Sequence, residues 1–257
     1  SLPEEIMSIQ QIITILFTLI TLTVNGLANA LPINGQTTAE ISDRFPILFV
    51  PAGYVFAIWG LIYLGLIAYS VYQALPAQRE NATLQRIAPL YWLASAANSL
   101  WILLWHYEYF SWTIVAMTTL SLSLIALYRI LRASPHSGER AFASAAQLPF
   151  SVYLGWISVA TIANAAQLLY FLEWNRWGIP DVTWTLIMLA VTAALGRAML
   201  LRERDFAYAF VLIWALLGIA AKQTPPAAVV GAGAYVVAGV LLLGMAFVLL
   251  RRARVNA

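Results

Sequence analysis

The chain has 257 residues, 62% of them hydrophobic and only 10% charged, where a soluble domain is roughly 45–50% apolar and about 25% charged. Too few charges remain to coat a soluble globule of this length, and the high hydrophobicity excludes disorder, so the composition describes an integral membrane protein. The net charge of +3 comes from 13 Arg and one Lys, and with no Cys the chain has no disulfide, thiolate or Fe–S chemistry.

A membrane span needs about 20 predominantly apolar residues. Eight segments qualify in chain order: 6–27, 50–72, 87–105, 112–131, 145–171, 182–201, 206–221 and 227–250. The first has Glu4 and Glu5 where a secretory signal would carry a basic region, which predicts a retained helix rather than a cleaved leader. Pro32, Asn34 and Gly35, then Phe45 and Pro46, bound the loop after it. Pro76, Pro135, Pro180, Pro225 and Pro226 fall in later connections, where proline belongs.

The basic residues divide unevenly between the two sides. Eleven lie on the side of both termini: Arg79, Arg86, Arg129, Arg132, Arg140, Arg197, Arg202, Arg204, Arg251, Arg252 and Arg254. Three lie opposite: Arg44, Arg176 and Lys222. The positive-inside rule then puts both termini in the cytoplasm, and a bacterial inner membrane is the expected location. The basic excess therefore reports topology, and no nucleic-acid partner is expected.

The spans carry almost no ionisable groups, which argues against a pump or transporter coupled through buried carboxylates. Glu108 stands at the exit of the third span, and Arg197 is close enough to a helix end to snorkel. Lys222, at a span end, is misplaced for a retinal Schiff base. Only two His occur. His136 sits in the polar loop Ser134–Gly138, and His106 follows Trp105 at a membrane boundary. That position suits an interfacial residue better than an axial ligand to a tetrapyrrole. No nucleotide-binding loop, metal cluster or Ser–His–Asp pattern occurs, so no catalytic residue is assigned and the chain is read as a non-enzyme. The Leu124-x3-Tyr128-x3-Arg132 sterol-type pattern is read as ordinary interfacial anchoring. Polar side chains inside the spans, Ser95, Asn98, Thr161, Asn164 and Gln167 among them, suit helix–helix glue or the few orienting groups of a ligand pocket.

One segment is more specific. Pro51-Ala52-Gly53-Tyr54-Val55-Phe56, followed by Trp59 and Tyr63, opens the second span. Pro51 fixes φ at a helix start, Gly53 permits close backbone approach, and Phe56, Trp59 and Tyr63 share a helical face. The segment resembles the Pro-Pro-Gly-Trp-Val-Phe signature of the tryptophan-rich sensory protein (TspO/MBR, or translocator protein) family. Asn98-Ser99-Leu100-Trp101 is similar to that family's Asn-x-x-Trp. Tyr153, Trp156, Ala160, Thr161 and Asn164 are similar to its fifth-helix pattern. Ala52, Tyr54 and Val152 depart from the family residues.

The resemblance, carried by residues 46–171, implies an all-α membrane protein in which a TspO-like five-helix bundle (residues 1–172) is enlarged by a three-helix transmembrane extension (residues 173–257). Gly231, Ala234 and Ala238 in that extension form a small-residue stripe suited to close helix packing. The resemblance also implies an aromatic pocket for a hydrophobic small molecule, with Phe49, Pro51, Gly53, Trp59, Asn98, Trp101, Trp156, Ala160 and Asn164 as its binding residues. No cofactor is required; a porphyrin, haem or other tetrapyrrole is the expected ligand. Trp105, Trp112, Trp174 and Trp177, at span ends, are assigned to the interfacial belt. The lipid bilayer is the first partner. A homodimer, or service as an accessory subunit of a larger, pigment-bearing membrane complex, is the alternative role for the added helices.

Overall fold

Ser8 opens the first helix through a reciprocal cap: its hydroxyl accepts from the Gln11 backbone N–H, and the Gln11 side chain accepts from the Ser8 N–H. This computed structural model describes residues 7–31 and 33–255, the last four through their backbone alone. Glu4, Glu5, Pro32, the side chains of Arg252 and Arg254, and the predicted span start at residue 6 lie outside the described residues. Helix α1 (Ile9–Ala30) is followed by the short α2 (Thr38–Asp43). A 3-10 turn, Gly53–Ala57, then leads into α3 (Ile58–Ala74). Helices α4 (Ala82–His106) and α5 (Phe110–Arg132) come next. The single turn α6 (Arg140–Phe142) passes through a π-helical turn into α7 (Leu148–Phe171). Helices α8 (Asp181–Ala198), α9 (Phe206–Gln223) and α10 (Ala228–Val255) complete the chain. Among the described residues there is no strand, and eight helices are long and apolar enough to cross a bilayer. They coincide with the eight segments read from the sequence, three of them after residue 171. The protein is all-α and integral to the membrane.

The chain divides into two compact units that interleave in sequence: Ser1–Ile41 with Trp59–Ile157, and Ser42–Ile58 with Ser158–Ala257. In the first unit α1 is turned inside out. Gln11, Thr14, Thr18, Thr21 and Asn25 are buried, while Leu16, Leu19 and Ile20 are exposed. This is the expected polarity in lipid, where apolar surface needs no burial and polar side chains seek partners between helices. Each partner is specific. Gln11 Nε2 donates to the Gln73 carbonyl at 2.7 Å. Trp92 Nε1 donates to Thr14 Oγ1 at 2.9 Å, and the Thr18 and Tyr91 hydroxyls meet at 2.6 Å. Where α3 meets α7, Gly65 lies against Pro149; a Cβ at residue 65 would stand 2.9 Å from the proline Cβ.

In the second unit, α9 is the central element and buries Val211, Leu212, Ala215, Leu216 and Ile219. Gly196 of α8 leaves room for Leu241 of α10 and Leu212 of α9. The same unit includes loop 42–58, which α9 holds at several points. Lys222 Nζ donates to Asp43 Oδ1, Gln223 Nε2 to the Leu48 carbonyl at 3.0 Å, and Trp214 Nε1 to the Val55 carbonyl at 3.1 Å. The Ala52 N–H donates to the Gly218 carbonyl at 3.1 Å.

Candidate ligand site

Four of the nine predicted site residues lie in the first unit, and two of those meet directly. Trp59, at the start of α3, stacks on Tyr63 one turn later, with ring centroids 5.6 Å apart and planes at 22°. It meets Tyr153 and Trp156, both from α7, in edge-to-face pairs with centroids 6.0 Å and 6.3 Å away. Helical spacing explains both arms: i and i+4 on α3, and i and i+3 on α7, each bring two rings to one face. Trp59 stays half-buried, whereas Tyr153 and Trp156 are buried. The cluster is therefore a set of aromatic faces and edges at geometries rings favour, with one ring partly open.

Asn98 supports this cluster from α4. Its Oδ1 accepts from Asn25 Nδ2 at 2.6 Å, and its Nδ2 donates to the Tyr153 hydroxyl at 2.8 Å. Asn98 is fully buried, so it fixes the Tyr153 ring through a chain that starts in α1. Asn25 is the member that sequence reading missed. Its signal was its place at the end of the polar stripe on α1.

Trp101 lies one turn further along α4 and stacks on Trp105, centroids 5.1 Å apart. One expectation for this end of α4 is corrected. Trp105 is no belt residue: it is buried, meets Phe110 edge-on at 5.6 Å, and donates its indole N–H to the Thr38 carbonyl at 3.2 Å. His106, the last residue of α4, is buried. Its Nδ1 lies 3.0 Å from the Ile33 carbonyl and its Nε2 3.1 Å from Thr38 Oγ1. A carbonyl can only accept, so Nδ1 carries the proton and Nε2 accepts from the threonine hydroxyl. The two nitrogens tie α4 to Ile33 and to Thr38, the first residue of α2, and neither is free for a metal. His136 makes its bond to Glu139 Oε1, Nδ1 at 2.6 Å, in keeping with a solvated loop residue.

The other five predicted residues lie in the second unit. Phe49 is fully buried, Pro51 is buried and Gly53 is exposed. On α7, Ala160 is half-buried and Asn164 is buried; Asn164 Nδ2 donates to Gln167 Oε1 at 3.3 Å. Gln167 Nε2 is buried without a hydrogen-bond partner among the described residues. A buried, unpaired amide donor of this kind calls for a ligand or water acceptor.

The second unit also holds a half-open chamber of about 390 Å³. Ala165 and Ala166 of α7 and Met188 of α8 form its walls, and Pro46–Leu48 form one edge. None of the nine predicted residues lines it. Trp174 and Trp184 also line it; Trp174, assigned to the belt, is half-buried, with its ring centroid 5.3 Å from that of Trp184. Trp112 and Trp177 are exposed, as a belt requires.

A sequence model for the family described as TSPO-like protein matches residues 11–247. The match includes α8 and α9 and most of α10, beyond the segment 46–171 that carried the resemblance. No curated protein and no solved structure matches the chain.

Proposed function

The chain belongs to the TSPO-like family, and from that premise we propose that it is a membrane-embedded binding or sensory protein for a flat hydrophobic molecule of the tetrapyrrole class, with both termini in the cytoplasm of a bacterial inner membrane. The observation that carries this reading is the aromatic cluster of Trp59, Tyr63, Tyr153 and Trp156. One stacked and two edge-to-face rings around a partly open indole offer stacking surface to a planar ligand. Phe49, Pro51, Gly53, Trp101, Ala160 and Asn164 are the further contacts we assign, and Asn98 holds Tyr153 in place.

A porphyrin or haem fits these residues through its ring face. His106 does not fit as an axial ligand, because both its nitrogens are engaged, so binding on this account is independent of iron. The role is binding rather than catalysis: the spans present indole, phenol and amide groups where acid–base chemistry would need positioned ionisable ones.

Titration of the purified protein with protoporphyrin IX, followed by tryptophan quenching, tests the reading. Saturable quenching is expected, weakened in Trp156→Ala and in Trp101→Ala. Saturable binding that both variants leave unchanged rejects the pocket assignment.

A further inference from the structure

We propose that the chamber between α7 and α8 is a binding site for one phospholipid with an ethanolamine headgroup. This site is distinct from the aromatic cluster and does not depend on it.

The chamber is chemically polarised along its length. Its walls are hydrocarbon, with Ala165, Ala166 and Met188 among them. Thr185, also on the wall, donates its hydroxyl to the Asp181 carbonyl at 2.8 Å, so it offers no donor to an occupant. The charged lining residues, Arg176 and Asp181, stand together at the α7–α8 connection. Arg176 Nη1 lies 3.1 Å from Asp181 Oδ1, and both side chains are part-exposed. An occupant matched to this lining has an apolar body and a polar end beside the helix termini, where the bilayer meets water. That is the polarity of a lipid, and lipid is also the molecule present in greatest excess around a half-open site in a bilayer. The volume of about 390 Å³ falls within the roughly 300–1,000 Å³ of small-molecule sites. It suits one acyl chain rather than a whole two-chain lipid, whose second chain would remain in the bilayer.

The headgroup preference follows from the charge pair. A guanidinium binds phosphate oxygens through paired N–H donors, and the neighbouring carboxylate accepts from an ammonium. A phosphoethanolamine carries both complements, whereas phosphatidylglycerol can offer its phosphate to Arg176 but brings no ammonium for Asp181. The connection is built to hold Arg176 there. Arg176, Trp177 and Gly178 are successive residues at positive φ, 57°, 55° and 73°, an arrangement non-glycine residues adopt only when their surroundings impose it. Trp184 Nε1 fixes the turn by donating to the Arg176 carbonyl at 3.0 Å, and Asn175 Oδ1 accepts from the Trp177 N–H at 3.0 Å.

Native mass spectrometry of the full chain, delipidated and then exposed to mixed micelles of phosphatidylethanolamine and phosphatidylglycerol, tests the proposal. The wild type should retain one phosphatidylethanolamine per chain. Ala166→Phe, which fills the chamber, should lose it. Arg176→Gln should reduce retention by about 10-fold, the effect of one charge-assisted hydrogen bond, and it probes the site without touching the packed wall. Protoporphyrin quenching, measured on the same samples, should be unchanged in both variants, so failure here and failure of the aromatic-cluster reading can be told apart. No retained lipid in the wild type, retention of phosphatidylglycerol in preference, or equal retention in wild type and Arg176→Gln overturns the proposal.

Discussion

The indole N–H of Trp214 donates to the Val55 carbonyl at 3.1 Å, joining α9 to the Pro51–Phe56 signature segment. Nearby, Gly218 of α9 lies directly against Val55 and Pro51, with no space for a Cβ. A helix beyond the segment that carried the family resemblance thus fixes the backbone of that family's most specific motif. Gly218→Val should destabilise the protein by about 1–3 kcal/mol, the usual cost of overpacking, and Trp214→Phe by about 0.5–1.5 kcal/mol for the lost hydrogen bond. Thermal unfolding in detergent, read by near-UV circular dichroism, checks both. A Gly218→Val protein as stable as the wild type would show that the contact is not tight.

The chain Asn25–Asn98–Tyr153 is a second target. Asn25→Ala leaves Asn98 Oδ1 without its Asn25 donor, and Asn98→Leu removes the bonds to Asn25 Nδ2 and to the Tyr153 hydroxyl, while Asn25 Nδ2 keeps its bond to the Thr21 carbonyl. Hydrogen bonds between membrane helices are worth about 0.6–2 kcal/mol. Each single change should fall in that range, and the double variant should cost less than the sum, because both act on one network. Strict additivity in a denaturation cycle would mean that the two residues act independently.

Acidification acts on the cap of α2. Glu40 Oε2 accepts from the Thr37 N–H at 2.6 Å and from the Thr37 hydroxyl at 2.9 Å, and these bonds hold the Glu40 carboxyl below its ordinary value, the backbone bond contributing most. The folded-state pKa is the lower one. The cap's contribution is therefore present above the ordinary carboxylate pKa and is lost as pH falls through the folded value. Amide exchange over Thr38–Asp43 should speed up at acid pH in the wild type, beyond the intrinsic pH dependence, and should show no such step in Glu40→Gln.

Gly65 gives a test within the first unit. A Cβ at residue 65 meets Pro149 Cβ at 2.9 Å and its Cα at 3.3 Å, and a proline ring and backbone have little freedom to move. Gly65→Ala should lower the midpoint of thermal unfolding, whereas Gly60→Ala, with open space around residue 60, should leave it unchanged or raise it.

Much of this was legible in the sequence, and the reasons differ by element. The eight spans follow from length and hydropathy, because a bilayer imposes both. Trp59, Tyr63, Tyr153 and Trp156 meet because helical spacing within each motif already puts them on one face. The burial of His106 and Trp105 was not legible because their partners, Ile33 and Thr38, are far away in sequence and no local pattern announces them. The α7–α8 chamber was invisible for the same reason: it needs residues near 46, 165 and 188 together. Asn25 sat in plain view on a polar stripe, but such a stripe does not say which of its members will find a partner.

The most direct test of the binding role is the Soret spectrum of protoporphyrin IX added at one equivalent to the purified protein. A shifted Soret band with induced circular dichroism is predicted for the wild type, lost in the Trp59→Leu/Trp156→Leu double variant while its far-UV spectrum stays helical. An identical shifted band in the folded double variant, or none in the wild type, contradicts the account.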